Sequence, residues 1–100
     1  MPSDEIQFEW DPQKAATNDR KHGVRFEAAA SIFRDPEHLS IYDSKHSEDE
    51  DRWVTLGLDS QGRLLVVCHT WRESETEITR CRIFSARKAT RAETQQYLKK

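Results

Sequence analysis

Arg52-Trp53-Val54-Thr55-Leu56-Gly57-Leu58, then Asp59-Ser60-Gln61-Gly62, then Arg63-Leu64-Leu65-Val66-Val67-Cys68-His69-Thr70-Trp71, are two apolar, β-branched runs separated by a block of turn formers. That arrangement reads as a β-hairpin. Working outward, Leu39 to Asp43 before it and Glu77 to Ser85 after it have the same texture. The polar, acidic stretch Ser44 to Asp51 and the turn at Glu73 to Thr76 separate these runs, so the spacing predicts a four-stranded antiparallel meander. Helices flank it. Asp11-Pro12 is a strong helix start, and Gly23 after Arg20-Lys21-His22 is a strong stop, which predicts a helix from Pro12 to His22. Phe26, Ala29, Ala30 and Phe33 recur at i, i+3, i+4 and i+7, giving a second short helix that Asp35-Pro36 ends. Phe8-Glu9-Trp10 reads as a short strand. Thr90-Arg91-Ala92-Glu93 has capping-box spacing and predicts a last helix to about Leu98. The expectation is an α+β fold: an antiparallel β-sheet meander with two N-terminal helices and one C-terminal helix, in a single domain over residues 1–100, with residues 1–5 disordered.

With 100 residues and 35% hydrophobic content, one core is the natural organisation. No run of 18 apolar residues occurs, and Met1-Pro2-Ser3-Asp4-Glu5 carries acids where a signal peptide would carry basic residues, so a cytoplasmic protein without a membrane segment is expected. Cys68 and Cys81 each lie in an apolar run that suits a buried free thiol. With His22, His38, His46 and His69 scattered, neither a metal nor a cofactor is expected.

The net charge of −2 hides an asymmetry. Residues 78–100 contain seven cations (Arg80, Arg82, Arg87, Lys88, Arg91, Lys99, Lys100) against Glu93 alone, a balance of +6, so the rest sums to −8. A basic face for a polyanion within an otherwise acidic chain is one reading, and an uneven solvated surface is the other.

Register sharpens the first reading. A two-residue turn at Ser60-Gln61 places Arg52 opposite His69, and a turn pairing Arg72 with Glu77 places His69 opposite Arg80. Arg82 then shares their face, with Val54, Leu56, Leu65, Val67 and Phe84. The other face, Trp53, Thr55, Leu64, Val66, Cys68, Cys81 and Ile83, reads as core. Guanidinium groups beside an imidazole suit a phosphodiester. Alternatively these are surface arginines balanced by Glu48, Asp49, Glu50 or Asp51, with His69 a hydrogen-bonded surface residue.

Three stretches carry a family resemblance. Phe8-Glu9-Trp10-Asp11-Pro12-x-Lys14-Ala15 with Lys21-His22-Gly23-Val24-x-Phe26-Glu27-Ala28 resembles the opening of the BrnT toxin family. His46-x-Glu48-x-x-x-Arg52 resembles its centre, and Arg82-Ile83-Phe84-Ser85-Ala86-Arg87-Lys88-Ala89-Thr90 with Tyr97 its end. The resemblance implies a RelE-like toxin fold, endoribonuclease activity that halts translation, and neutralisation by a BrnA-type antitoxin in a 2:2 heterotetramer. DNA would then be contacted only through the antitoxin. Thr70-Trp71-Arg72-Glu73-Ser74-Glu75 departs from the pattern, where a shorter turn with Glu before Arg is expected; this bears on Arg80.

Metal-independent RNA cleavage by 2′-hydroxyl attack needs a base, charge stabilisation on the phosphoryl oxygens and a proton for the leaving oxygen. On that chemistry Arg52 and Arg82 hold the phosphate, and Lys21, His69, Arg80, Arg87 and Lys88 contact RNA. Glu48 or His22 is the base, and Tyr97 donates a proton or stacks on a base. Lys21 and His22 equally suit a helix C-terminus, and Tyr97 an amphipathic anchor. Two other classes stay open, a DNA-binding repressor subunit and a non-catalytic interaction module.

Overall fold

The computed structural model describes residues 5–74 and 76–99. Its order is β1 (Glu5–Glu9), α1 (Pro12–His22), α2 (Phe26–Ser31), β2 (Leu39–Tyr42), β3 (Arg52–Leu58), β4 (Leu64–Thr70), β5 (Arg72–Glu73), β6 (Ile78–Lys88) and α3 (Arg91–Lys99), with single 3₁₀ turns at Ile32–Arg34 and Ser44–His46. The α+β meander is present as β2-β3-β4-β6, each pair antiparallel. Two features extend it. β1, which starts at Glu5, lies parallel to β6 at the edge, so the sheet is mixed, and the short β5 pairs with the first part of β6. Of the stretch expected to be disordered, residues 1–4 lie outside the described residues.

The helix boundaries follow the capping chemistry. The Asp11 carboxylate accepts from the Gln13 amide at 2.8 Å, and Gly23 takes a left-handed φ of 67°, its amide donating to the Asp19 carbonyl. At the other end of the chain, the Thr90 hydroxyl accepts from the Glu93 amide while the Glu93 carboxylate accepts from the Thr90 amide, the reciprocal pair read from the sequence.

Val24, Phe26, Ala29 and Ile32 pack onto Leu65, Val67, Cys81, Ile83 and Ala86, and all of these are buried. Gly57 allows the 3₁₀ turn to sit against β3, since a Cβ there would meet the Ile32 and His38 side chains at 3.2 and 3.1 Å. β1 stops opposite Arg82, which would leave the outer edge of β6 unpaired farther on. Asn18 takes over. Its amide donates to the Ala86 carbonyl at 2.8 Å and to the Val24 carbonyl at 2.9 Å, and its side-chain oxygen accepts from the Ala86 amide at 3.1 Å. One buried side chain thus supplies the hydrogen bonds of a missing strand.

The register differs from the sequence expectation by one residue. Asp59 pairs with Arg63 rather than Gly62: the loop holds three residues, Gly62 has φ 83°, and the Asp59 carboxylate accepts from the Gln61 and Arg63 amides. This is the three-residue hairpin loop with a left-handed third position. Arg52 therefore faces Thr70, and Trp53 faces His69. The second hairpin closes between Ser74 and Ile78, with Glu77 at φ 63°, instead of between Arg72 and Glu77. The consequence falls on β4. Leu65, Val67 and His69 turn to the core beside Thr55, Cys81 and Ile83, while Leu64, Val66 and Cys68 turn to the other face.

Candidate active site

One row of the sheet now reads Arg52, Thr70, Arg82, Glu9. Arg52 is the cross-strand partner of Thr70, the Thr70 hydroxyl accepts from the Arg82 amide at 3.1 Å, and Arg82 is the partner of Glu9. Arg52 and Arg82 thus share the face turned away from the core, two strands and about 10 Å of backbone apart. That spacing suits two long side chains converging on one anion. Arg82 leans on Glu9 at 3.8 Å, and Arg80 does so at 4.0 Å. All three side chains are solvent-exposed, so these pairs are weak and easily exchanged for a phosphate.

Arg52 has a different neighbour. A bulge interrupts the β4–β6 ladder, where Cys68 pairs with Ser85 and His69 with Ile83, leaving Phe84 as the extra residue. Bulges re-aim side chains, and here the Phe84 ring lies under the Arg52 guanidinium, 4.3 Å from Cζ to the ring centre. The Lys14 ammonium of α1 stands 5.6 Å from the same ring. Each such contact is worth about 0.5–1 kcal/mol at an exposed position. Neither cation has a carboxylate partner among the described residues.

The Arg52–Phe84 contact separates two clefts. On one side lies a cleft of about 260 Å³ lined by Lys45, His46, Glu48, Asp49, Glu50 and Arg52. On the other, α1 and the bulge enclose about 410 Å³ lined by residues that include Lys14, Lys21, His22, Phe84 and Ser85. Glu48 and His22 are both exposed and have no hydrogen-bonding partner among the described residues. The loop before Arg52 is held down at its base. The Ser47 hydroxyl accepts from the Arg52 amide at 3.0 Å and donates to the Asp43 carbonyl, and the Tyr42 hydroxyl donates to Asp51. Two cations thus meet at one ring, with Glu48 lining the cleft of Arg52 and His22 lining that of Phe84.

A family model described as ribonuclease toxin, BrnT, of type II toxin–antitoxin system matches residues 10–93. The chain belongs to the BrnT family. It is accordingly a ribonuclease toxin with an antitoxin partner. No curated relative matches the sequence. Among solved structures, the crystal structure of the Brucella abortus ribonuclease toxin BrnT matches with a TM-score of 0.54 and 22% identity, over 87% of this chain and 99% of that one. That likeness is one of fold, and it agrees with the helix and sheet arrangement described above.

Within this BrnT chain several expected site residues lie elsewhere. His69 is buried on the core face, the result of the one-residue register shift. Its Nδ1 lies 2.8 Å from the Thr70 carbonyl, which can only accept, so Nδ1 carries the proton and Nε2 accepts from the Thr55 hydroxyl at 2.6 Å. Thr55 in turn accepts from Ser40 at 2.7 Å. Burial holds the imidazole neutral, its pKa pushed down to about 4. The adjacent Cys81 thiol, 3.5 Å from Nδ1, is pushed up to about 12 by the same burial. His69 is a structural residue and not an RNA ligand. Arg80 faces Arg72 of β5 and not His69, because the second hairpin closes between Ser74 and Ile78 instead of between Arg72 and Glu77.

Arg87, Lys88 and Tyr97 gather at the opposite end of the sheet. Arg87 and Lys88 pair with Val66 and Leu65, level with Leu56 and Gly57 of β3 and roughly 13–17 Å along the strands from Arg52. Arg87 grips Glu93 through both guanidinium nitrogens at 2.8 and 2.9 Å, and this bidentate bond draws the Glu93 carboxyl down to about 2. Its charge is spent on anchoring α3. The Tyr97 hydroxyl donates to Asp35 at 2.6 Å, where the Leu58 amide also donates, and the hydrogen bond to that carboxylate raises the phenol to about 12. Sequence reasoning missed Thr70, Phe84, Lys14 and Asn18. Gly62 after Asp59 was the available signal for the longer loop and hence for Thr70.

Proposed function

We propose that this BrnT-family ribonuclease cleaves RNA without a metal, at the end of the sheet where Arg52 and Arg82 share one face. The scissile phosphate binds between the two guanidinium groups, which stabilise charge on the phosphoryl oxygens as the 2′-hydroxyl attacks. Glu48 takes the 2′-hydroxyl proton. His22, across the Arg52–Phe84 divider, returns a proton to the departing 5′-oxygen, and Lys21 holds a flanking phosphate. The observation that carries this reading is the row Arg52, Thr70, Arg82, with Glu48 lining the same cleft as Arg52. The sequence resemblance supports the rest: a BrnA-type antitoxin as the partner, two copies of each chain in the complex, and action in the cytoplasm.

The test is cleavage of a labelled RNA by the purified protein in EDTA, with Arg52→Ala, Arg82→Ala, Glu48→Gln and His22→Gln. Each arginine variant should lose about 100-fold or more in rate while melting as the wild type does. Glu48→Gln should remove the acidic limb of the pH–rate profile and His22→Gln the alkaline limb. Wild-type rates in both folded arginine variants would remove the phosphate cradle, and dependence on a divalent ion would overturn the metal-free route.

A further inference from the structure

Two cations over one ring, neither in an ion pair among the described residues, is an arrangement that folding alone does not require. Arg63 pairs with Asp59, and Arg87 with Glu93. Lys14 and Arg52 instead converge on Phe84, which places their charges within about 10 Å of each other by the sum of the two ring distances. Phe84 occupies this position only because the bulge between Cys68 and His69 adds it to β6. Lys14 in turn stands one turn before Asn18, the residue that fixes α1 to the bulged strand at Ala86, so its placement against the ring is fixed by two buried hydrogen bonds. A cation held at a cleft without an ion-pair partner is available to bind a phosphate.

We propose that Lys14 is a further RNA-binding residue, contacting the phosphate next to the one held by Arg52, and that Phe84 is a positioning residue that sets the two cations at the spacing of neighbouring phosphates on one strand. The inference rests on the placement of the scissile phosphate at Arg52. The ring has no proton to give and is too weakly polar to bind a phosphate itself. Its quadrupole instead orients the guanidinium plane, an ordering that an exposed arginine would otherwise have to undergo on binding substrate. The α1 cleft that Lys14 shares with Lys21 and Phe84 gives the strand a direction: away from Glu48, across Phe84 and into that cleft.

Cleavage kinetics on a short RNA, and binding of the same sequence made as 2′-O-methyl RNA at several salt concentrations, test this with Lys14→Gln, Phe84→Leu, Phe84→Tyr and Arg52→Ala. Lys14→Gln should weaken binding and lower the slope of log affinity against log salt by about 0.7, the value for one phosphate contact on a single strand. Phe84→Leu should reduce kcat/KM about tenfold while Phe84→Tyr, which keeps the ring face, stays within about twofold of wild type. If Arg52→Ala is inactive but Lys14→Gln keeps the full salt slope and Phe84→Leu keeps wild-type kcat/KM, this inference is wrong and the phosphate cradle stands. If Arg52→Ala cleaves as wild type, the cradle itself is wrong and this inference goes with it. Equal losses in Phe84→Leu and Phe84→Tyr, with unchanged melting, would show that shape and not the π face matters, and would also overturn it.

Discussion

Lowering the pH from 7 to 5 should weaken the fold through a single buried side chain. His69 is neutral in the core, its Nδ1–H bound to the Thr70 carbonyl and its Nε2 to the Thr55 hydroxyl, with a pKa of about 4 against 6.5 for a free histidine. In the unfolded chain it binds a proton below pH 6.5, and in the folded chain only below 4. Its contribution is therefore complete above pH 6.5 and is lost progressively as pH falls towards 4. The full difference corresponds to about 3 kcal/mol, of which about 2 kcal/mol is lost between pH 7 and 5. Against a typical total of about 5–15 kcal/mol that is a large fraction. Glu93, drawn down to about 2, acts in a lower window: its contribution is present above 4.5 and fades as pH drops towards 2. Urea titrations followed by tryptophan fluorescence at pH 7 and 5, on the wild type and His69→Gln, isolate the histidine. Trp71 lies with its ring centre 6.0 Å from that of His69 and serves as the local probe. The variant should be less stable at pH 7 but lose about 2 kcal/mol less than the wild type on acidification. Parallel losses in the two proteins would refute the assignment of a neutral, buried His69.

Asn18→Ala should cost about 3 kcal/mol, because both main-chain groups of Ala86 and the Val24 carbonyl lose their partner in a buried position; thermal or urea melting reads this directly. Tyr97→Phe removes the hydroxyl from Asp35 and should cost about 1 kcal/mol while leaving RNA cleavage within about twofold of wild type, since the phenol sits at the far end of the sheet from Arg52. A melting curve and a cleavage rate on the same preparation check both halves of that expectation.

Local chemistry was readable wherever a residue acts on its own neighbours. Asp11, Gly23, Thr90 and Glu93 fix helix ends within a few residues, and α1 runs from Pro12 to His22 as its caps require. Strand positions were legible from their β-branched runs, β3 to the residue. Register was not, because period two amplifies a single added loop residue into a reversal of faces. Gly62 at a left-handed position carried that information, but Glu77 at φ 63° has no glycine to announce it. The same error moved His69 from solvent to core while leaving Arg52 and Arg82 together, since two of the three strands kept their faces. The parallel pairing of β1 and the bulge at Phe84 have no local signature at all. Both depend on which partner strand is available, and the charge asymmetry of residues 78–100 divides between Arg80 and Arg82 beside Glu9 at one end and the Arg87–Glu93 anchor of α3 at the other.

β6 is the last strand of the chain and touches almost everything. It lies between β1 and β4, carries the Arg82 guanidinium and the Phe84 ring, and receives Asn18 at Ala86. Glu5 finds its partner in Ile78, more than seventy residues later, so the beginning of the chain has nothing to pair with until the end has been made. For a ribonuclease toxin, this topology imposes an order of events. A nascent or truncated chain that stops before residue 78 has Arg52 and Glu48 but neither the second guanidinium, nor the ring, nor a closed core to hold them. A chain interrupted before β6 lacks the strand on which β1 and β4 both pair.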